Sequence, residues 1–246
     1  MTDKIQFYEE LALNAHPALQ TQFYDGWILR FANGYTKRAN SVNPLYPYTL
    51  DLREKIEYCE KVYAAQGLPV VFKLTDGTDP LIDKALDEHG YKITDQDYIM
   101  SLDLQDIGSV SNDCVTIPRA DEEWLKAFKQ LKNFTDHESI TAGMILENTR
   151  STLICARLVK SGISVACGTL VIERGYAVLK NVVVDESQRG KGYGKEICVS
   201  LLAEAKTIGA HTAFLQVMKD NYIAVNMYER LGFMTIYSDW YRIKEA

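Results

Sequence analysis

A glycine-rich turn between a strand and a helix is the feature that most restricts how this chain can fold. The apolar run from Tyr176 to Val184 is rich in β-branched residues and is typical of a buried strand. After the turn, apolar residues recur on one face of a helix that we expect to end near Gly209. Three alternating glycines lie between, at Gly190, Gly192 and Gly194. Unpaired amides and the positive end of the helix dipole converge at such a turn, which predicts an anion site.

Two common phosphate-binding motifs do not match this turn. A P-loop has Ser or Thr after its Gly-Lys pair, whereas Lys191 is followed by Gly192. A dinucleotide fingerprint spaces its glycines as Gly-x-Gly-x-x-Gly, whereas these glycines simply alternate. The sequence therefore predicts a phosphate held by another arrangement, and a plain tight turn is the alternative at this point.

Composition and charge narrow the class of protein. The 246 residues are 47% hydrophobic and 24% charged, which is ordinary for one large or two average globular domains. The net charge of −6 and the absence of a basic run argue against nucleic-acid binding. No apolar run has the length of a signal-peptide core or a membrane span, and the five cysteines are scattered. We expect a cytoplasmic protein with reduced cysteines, without membrane association and without a metal.

Periodicity and turn residues outline further elements. In the first half, Trp27–Phe31 is the first predicted strand, and Arg38–Val42 is predicted to be extended. In the second half, we predict a polar loop at 133–138 followed by a short helix at 142–147. A strand at 234–243 is predicted to close the chain.

The two halves of the chain repeat each other. Gly67 and Gly90 end helices in the first half, and Gly209 and Gly232 follow them by 142 residues each. We therefore predict a duplicated domain, with a polar linker at 105–112 and domains at 1–108 and 109–246. Where the second half has its glycine turn, the first half has the segment 45–48, in which Pro47 removes an N–H donor. The first half is thus expected to have lost the anion site and to serve a structural or substrate-shaping role.

Two motifs occur in a fixed order in the second half. One is the turn Arg189-Gly190-Lys191-Gly192-Tyr193-Gly194, and the other is Asn221-x-x-Ala224-x-x-x-Tyr228-x-x-x-Gly232-Phe233. Together they resemble the GNAT superfamily of acyl-CoA-dependent N-acyltransferases over residues 113–246, whereas the first half resembles it only through the repeat. The resemblance implies an α/β fold of the α+β type. It would contain two GNAT-like domains, each a mostly antiparallel mixed sheet flanked by helices.

The resemblance also implies roles for particular residues. The coenzyme pyrophosphate would lie against the backbone amides of the turn, namely Arg189, Gly190, Lys191, Gly192, Tyr193, Gly194 and Lys195. The pantetheine arm would pair with a strand edge left open by two splayed strands, namely Val182, Val183 and Val184, with an N–H near Val183 polarising the thioester. Asn221 would hydrogen-bond the coenzyme, and Tyr228 would protonate the departing thiolate. A helix N-cap for Asn221 and core packing for Tyr228 are the alternatives.

The general base has no clear candidate. Many members of the family carry an acidic residue on the strand before the turn, but 176–184 contains none. Some members that acetylate protein N-termini have a Glu where this chain has Gln216, which cannot accept a proton. The remaining candidates are Glu173, Asp185, Glu186, and His137 with Asp136 and Glu138. A water-mediated base or an amine that arrives neutral would leave no signature.

The resemblance thus implies transfer of an acetyl group from acetyl-CoA to a primary amine by direct attack. A non-catalytic acyl-CoA-binding or regulatory module is the alternative, and a longer acyl group is also compatible with the sequence. The acceptor, whether a small molecule or a protein N-terminus, and the choice between monomer and homodimer stay open.

Overall fold

The computed structural model describes residues 2–105, 107–108, 111 and 113–244, so the predicted linker at 105–112 lies partly outside the described residues. The helices are α1 Thr2–Ala15, α2 Leu52–Ala64, α3 Pro80–Glu88, α4 Glu122–Lys132, α5 Asp136–Glu147, α6 Tyr193–Thr207 and α7 Tyr222–Arg230. The strands are β1 Gln20–Tyr24, β2 Trp27–Phe31, β3 Val42–Pro44, β4 Val71–Thr75, β5 Lys92–Asp103, β6 Cys114–Ile117, β7 Thr152–Lys160, β8 Ile163–Glu173, β9 Tyr176–Val184, β10 Thr212–Met218 and β11 Met234–Ile243.

All the described strands join one mixed sheet in the order β1-β2-β3-β4-β11-β5-β10-β9-β8-β7-β6. The last strand of the chain, β11, is therefore inserted between β4 and β5 of the first half. Conversely, β5 of the first half lies between β11 and β10 of the second half. Each half thus gives one strand to the other, and the two sheets are continuous rather than merely packed together.

Helices cover both faces of this sheet. On one face, α6 and α7 bury an apolar cluster that includes Leu179, Leu201 and Tyr228. On the other face, α1 and α4 bury a second cluster that includes Tyr8, Trp124 and Val178. No helix among the described residues is long and apolar enough to cross a membrane.

Three local predictions need correction. Strand β1 precedes the strand that we expected to be first, and it forms a hairpin with β2. It was missed because its residues Gln20, Thr21 and Gln22 are polar. The segment at 38–42 is not wholly extended, because a 3-10 turn occupies Lys37–Ala39. Helix α5 begins at Asp136 rather than near Ala142. A capping box accounts for this early start, because the side chain of Thr135 and that of Glu138 each accept from the backbone amide of the other residue.

Candidate active site

The gap between β9 and β10 is the central feature of the second half. The two strands pair in parallel at three positions only, from Thr212–Tyr176 to Phe214–Val178. Beyond these positions the described residues of β9 and β10 do not pair with each other, although both strands continue. Burial changes at the same level, since 177–180 are buried and 181–185 are partly exposed. This edge of β9 is therefore open to an extended ligand.

The three valines predicted to line the gap lie on alternating faces of β9. Val182 and Val184 pack with the α6 cluster, whereas Val183 packs with the α4 cluster. The strand bulges at Asn181, where φ is 57°, and the side-chain amide of Asn181 donates to Thr169 Oγ1 at 3.0 Å. After the bulge the ladder with β8 resumes at Val183–Cys167, and the Asp185 amide donates to Val165 O at 2.9 Å. Because hydrogen-bonded and non-hydrogen-bonded pairs alternate along such a ladder, the amide next to Val183, that of Val184, is the candidate donor to a ligand in the gap.

The glycine turn leads from the end of β9 into an uncapped helix. Gly190 and Gly192 have φ angles of 81° and 83°, and a Cβ atom added at either position would meet nothing within 4 Å. Gly192 is the N-cap of α6 and supplies no side-chain cap. No described residue accepts a hydrogen bond from the six amides of 190–195, whereas the amide of Arg189 donates to Glu186 O at 3.4 Å. Free amides at an open helix N-terminus form a suitable site for phosphate oxygens.

The corresponding helix of the first half, α2, begins differently. The carboxylate of Asp51 accepts from the backbone amides of Arg53 and Glu54, at 2.9 and 3.2 Å. The chain's own anion therefore occupies the place that an external anion would take at this helix N-terminus. This difference supports the expectation that the first half does not bind a phosphate.

Tyr228 lies on α7 within the apolar cluster beneath the gap, together with Val182, Val184 and Tyr193. Its ring meets Phe233 edge-on at a centroid distance of 5.7 Å. Burial, with smaller contributions from the neighbouring Cys198 thiol on α6, raises the pKa of Tyr228 well above its ordinary value. Its phenol is therefore protonated at neutral pH.

Asn221 begins α7 at the exposed end of the same helix. Its side-chain oxygen accepts from the Ala224 amide at 3.2 Å, so the N-cap alternative holds for this residue. This bond uses only Oδ1 and leaves the Nδ2 donor for another partner. A cap and a coenzyme contact are thus compatible.

Gln216 lies on β10 just past the point where β9 and β10 separate. Its Nε2 atom donates to Asp97 Oδ2 at 2.6 Å and to Asp239 Oδ1 at 3.2 Å. Asp97 lies on β5 and Asp239 on β11, so both exchanged strands contribute to this cluster. Reasoning from the sequence missed both carboxylates. The repeat provides a signal that could have found them, because they are separated by the same 142 residues as the helix-ending glycines.

Lys73 forms buried ion pairs with two carboxylates, one of which belongs to this cluster. Lys73 Nζ lies 2.9 Å from Asp239 Oδ2 and 2.5 Å from Glu9 Oε2, and all three side chains are buried. Tyr237 adds a hydrogen bond of 2.8 Å to Glu9 Oε1. Burial raises the pKa of Asp239 to about 7, although the ammonium of Lys73 opposes this shift.

The chain matches, over residues 2–242, the family described as "Probable histone acetyltransferase Rv0428c C-terminal". It is 33% identical over 250 residues to "Uncharacterized N-acetyltransferase YobR" of Bacillus subtilis, covering 98% of this chain and 99% of the relative. Its fold matches a GCN5-related N-acetyltransferase from Kribbella flavida with a TM-score of 0.73 and 15% identity, covering 100% and 96% of the two chains. The chain belongs to the GNAT superfamily.

This GNAT protein is an acetyltransferase, which sets aside the non-catalytic alternative. The fold also matches a solved structure described as "Tandem GNAT protein from the clavulanic acid biosynthesis pathway (without AcCoA)". That match has a TM-score of 0.63 and 11% identity, covering 95% of this chain and 86% of the other. Likeness at this level of identity concerns the fold alone, and it fits the duplicated architecture.

The residues considered as general bases in the sequence are less well placed in this GNAT protein. Glu173 pairs with Tyr176 at the opposite end of β9 from the gap, and it accepts from Asn14 and Ser151. Asp185 caps the 3-10 turn that precedes the glycine turn, and Glu186 is exposed and paired with Arg189 at 3.1 Å. His137, with its neighbours Asp136 and Glu138, lies at the exposed start of α5. None of these groups contacts Gln216 in the described residues.

Proposed function

We propose that this acetyltransferase takes its acetyl group from acetyl-CoA and transfers it to a primary amine. The observation that carries the proposal is the uncapped N-terminus of α6 directly after the open edge of β9. A pyrophosphate requires free donors, and an extended pantetheine arm requires an unpaired strand edge next to them. At α2 the Asp51 carboxylate fills the corresponding position, so we expect one coenzyme per chain, bound by the second half.

Each predicted site residue has a role in this proposal. The amides of 190–195 bind the pyrophosphate, and Arg189 and Lys191 add positive charge beside it. The edge at 182–184 pairs with the pantetheine arm, and Asn221 donates to the arm from the start of α7. Acetyl-CoA supplies a thioester that an amine attacks directly, without a covalent bond to the protein. An amide near Val183 would hold the thioester oxygen as negative charge develops on it.

The test is release of free thiol from acetyl-CoA across a panel of amines. The panel contains a polyamine, free amino acids, an aminoglycoside and a short peptide with a free N-terminus, and each is also assayed with propionyl-CoA and a longer acyl-CoA. We expect thiol release that depends on the amine and a product with one added acetyl group. Tight binding of acetyl-CoA with no turnover of any amine contradicts the proposal.

Replacing Tyr228 by Phe tests its role as the proton donor. A positioned acid typically contributes about 100-fold or more to rate, so Tyr228→Phe should lower kcat by about that factor. The dissociation constant of acetyl-CoA should change by less than about threefold, since only one hydroxyl is lost. Tyr222→Phe, on the same helix but 72% exposed, is the matched control and should match the unaltered enzyme. Equal kcat values for the two variants would remove Tyr228 from the mechanism.

A further inference from the structure

The hydrogen-bond partners of the Gln216 side-chain amide indicate which of its two polar atoms is the nitrogen. An amide oxygen and an amide nitrogen look alike in size, and only their partners distinguish them. The shortest contact of this amide, 2.6 Å, is to a carboxylate oxygen of Asp97. The atom of the amide that faces it is Nε2, which donates to that oxygen. The same nitrogen also faces Asp239 at 3.2 Å and the Tyr241 hydroxyl at 3.5 Å.

The carbonyl oxygen of this amide, Oε1, is the atom that these partners leave free. These two strands lie on one side of β10, and the gap toward β9 lies on the other. In the described residues, no group donates to Gln216 Oε1, although both carboxylates that hold Nε2 are buried. Gln216 itself is partly exposed. Gln216 thus combines a free acceptor atom with a donor nitrogen held by carboxylates, at a position on β10 beside the gap.

The position along the gap fits the site of reaction. Continuing the register of β9 and β10 places Gln216 level with Lys180, one residue before the bulge at Asn181. Lys180 is the charged group opposite, but its Nζ atom is directed to Ala15 O at 2.6 Å and His16 Nδ1 at 2.8 Å. Burial, together with the charges of Arg38 and Arg30, lowers the pKa of Lys180 well below its ordinary value. Because its Nζ atom is held at the end of α1, Lys180 is not directed at Gln216.

We infer that Gln216 Oε1 receives the acceptor amine, and that Asp97 and Asp239 act as positioning residues that hold the amide for this contact. The inference rests on the proposed function. An amine that donates one N–H to Oε1 is held on the α1 face of the gap, with its lone pair available for attack on the thioester. Since an amide oxygen cannot take the proton, this contact orients the nucleophile and leaves deprotonation to water.

This arrangement gives the first half a direct part in the reaction. Asp97 belongs to β5, and Glu9 and Lys73, which support Asp239, belong to α1 and β4. The acceptor side of the site is therefore built from both halves, whereas the coenzyme side comes from the second half alone.

The first arm of the test uses n-butylamine as a simple primary amine and measures steady-state kinetics. Gln216→Leu should raise the KM for butylamine at least about tenfold, because the amine loses its acceptor, with the KM for acetyl-CoA within twofold. Gln96→Leu is the matched control, since Gln96 is exposed on β5 beside Asp97, and it should leave both constants unchanged.

Two substitutions of Asp97 separate positioning from proton transfer. Asp97→Leu leaves Nε2 without its shortest acceptor and should resemble Gln216→Leu. Asp97→Asn retains an acceptor oxygen but no base, and it should restore most of the activity that Asp97→Leu loses. If Asp97→Asn is as impaired as Asp97→Leu and the acidic limb of the pH profile disappears, Asp97 is the proton acceptor and the inference is wrong. An unchanged KM for butylamine in Gln216→Leu also overturns it.

The second arm does not depend on turnover. The side-chain amide signals of Gln216, identified by their loss in Gln216→Leu, are followed by ¹H–¹⁵N NMR in the unaltered protein saturated with coenzyme A. Adding butylamine should shift these signals in a saturable way, and a lack of shift counts against the inference. Failure to acetylate any amine, with the NMR shift present, would contradict the proposed function and leave the contact standing.

Discussion

Two glycines at opposite ends of α6 allow the anion site to be tested at single positions. Gly192 precedes the helix with a φ of 83°, and Gly209 follows it with a φ of 101°. Both angles are unfavourable for a residue with a Cβ atom, and an added Cβ would meet no atom within 4 Å at either position. The two positions therefore differ mainly in their surroundings, because only Gly192 lies next to a set of uncapped backbone amides.

We expect Gly192→Ala and Gly209→Ala to lose similar stability, about 1–2 kcal/mol each, because each forces an L-residue into the left-handed region. Only Gly192→Ala should weaken acetyl-CoA binding, by about tenfold or more, since its methyl group would fill open space at the turn that the pyrophosphate would occupy. Thermal unfolding and calorimetric titration with acetyl-CoA measure the two effects. Equal affinities in the two variants would show that the turn is a plain loop.

At the scale of single residues, the sequence predicted the glycine turn but not the cluster around Gln216. The turn is visible because its glycines and the strand and helix around it are contiguous. The carboxylate that fixes Gln216 lies 119 residues earlier, on a strand whose neighbours depend on the whole sheet. The local sequence of β5 does not indicate which strands will flank it. Only the repeat distance connects Asp97 with Asp239 in the sequence.

At the scale of elements, α2 and α6 are repeat-related helices whose N-termini differ in one respect. α2 has a carboxylate cap, whereas α6 has a glycine. Part of this contrast was predictable, because 45–48 clearly lacks the glycine pattern. The role of this cap was not predicted, since Asp51 alone resembles an ordinary helix start. Its significance depends on the comparison with the free amides of α6. The early start of α5 has a similar cause, as capping pairs determine helix ends more sharply than apolar periodicity does.

The cap on α2 yields a prediction about binding stoichiometry. Asp51→Ala should cost about 1 kcal/mol of stability, the usual value for a lost N-cap. Asp121→Ala removes the comparable cap of α4, a 2.7 Å bond from the Trp124 amide, and serves as the control. Both variants should bind one acetyl-CoA per chain in calorimetric titration, because the loop at 45–48 still lacks the glycines. A second bound coenzyme in Asp51→Ala would mean that the cap alone closes the site of the first half.

At the scale of the whole molecule, the exchange of β5 and β11 makes the duplication a single structural unit. The two strands are antiparallel neighbours, and Asp97 pairs with Asp239 across them. These two residues occupy equivalent positions in the repeat, so the halves meet at a pair of equivalent strands. The sequence predicted the strand at 234–243 and the repeat, but strand exchange follows from register and contacts that no local pattern encodes. The boundary between two domains at residue 108 stays a prediction.

The exchange leads to a prediction about cooperativity. β4 aligns with β3 at one position only, Val42–Phe72, whereas it aligns with β11 at five. Protection of the β4 amides against hydrogen exchange should therefore depend on the stability of the second half. Leu170→Ala removes a fully buried side chain from β8 and should cost about 2–5 kcal/mol. The exchange free energy of the β4 amides should fall by the same amount as that of the β10 amides.

The control is Ile163→Ala, on the same strand as Leu170 but 65% exposed, which should leave β4 and β10 protection nearly unchanged. If Leu170→Ala lowers protection in β10 and not in β4, the two halves unfold separately and the exchanged strands do not couple them. The proposed active site requires the coupled outcome, because Gln216 on β10 is held by Asp97 of the first half and by Asp239 on β11. Local opening of β5 would release Gln216 even with the coenzyme side intact, and the acceptor side would then be lost first.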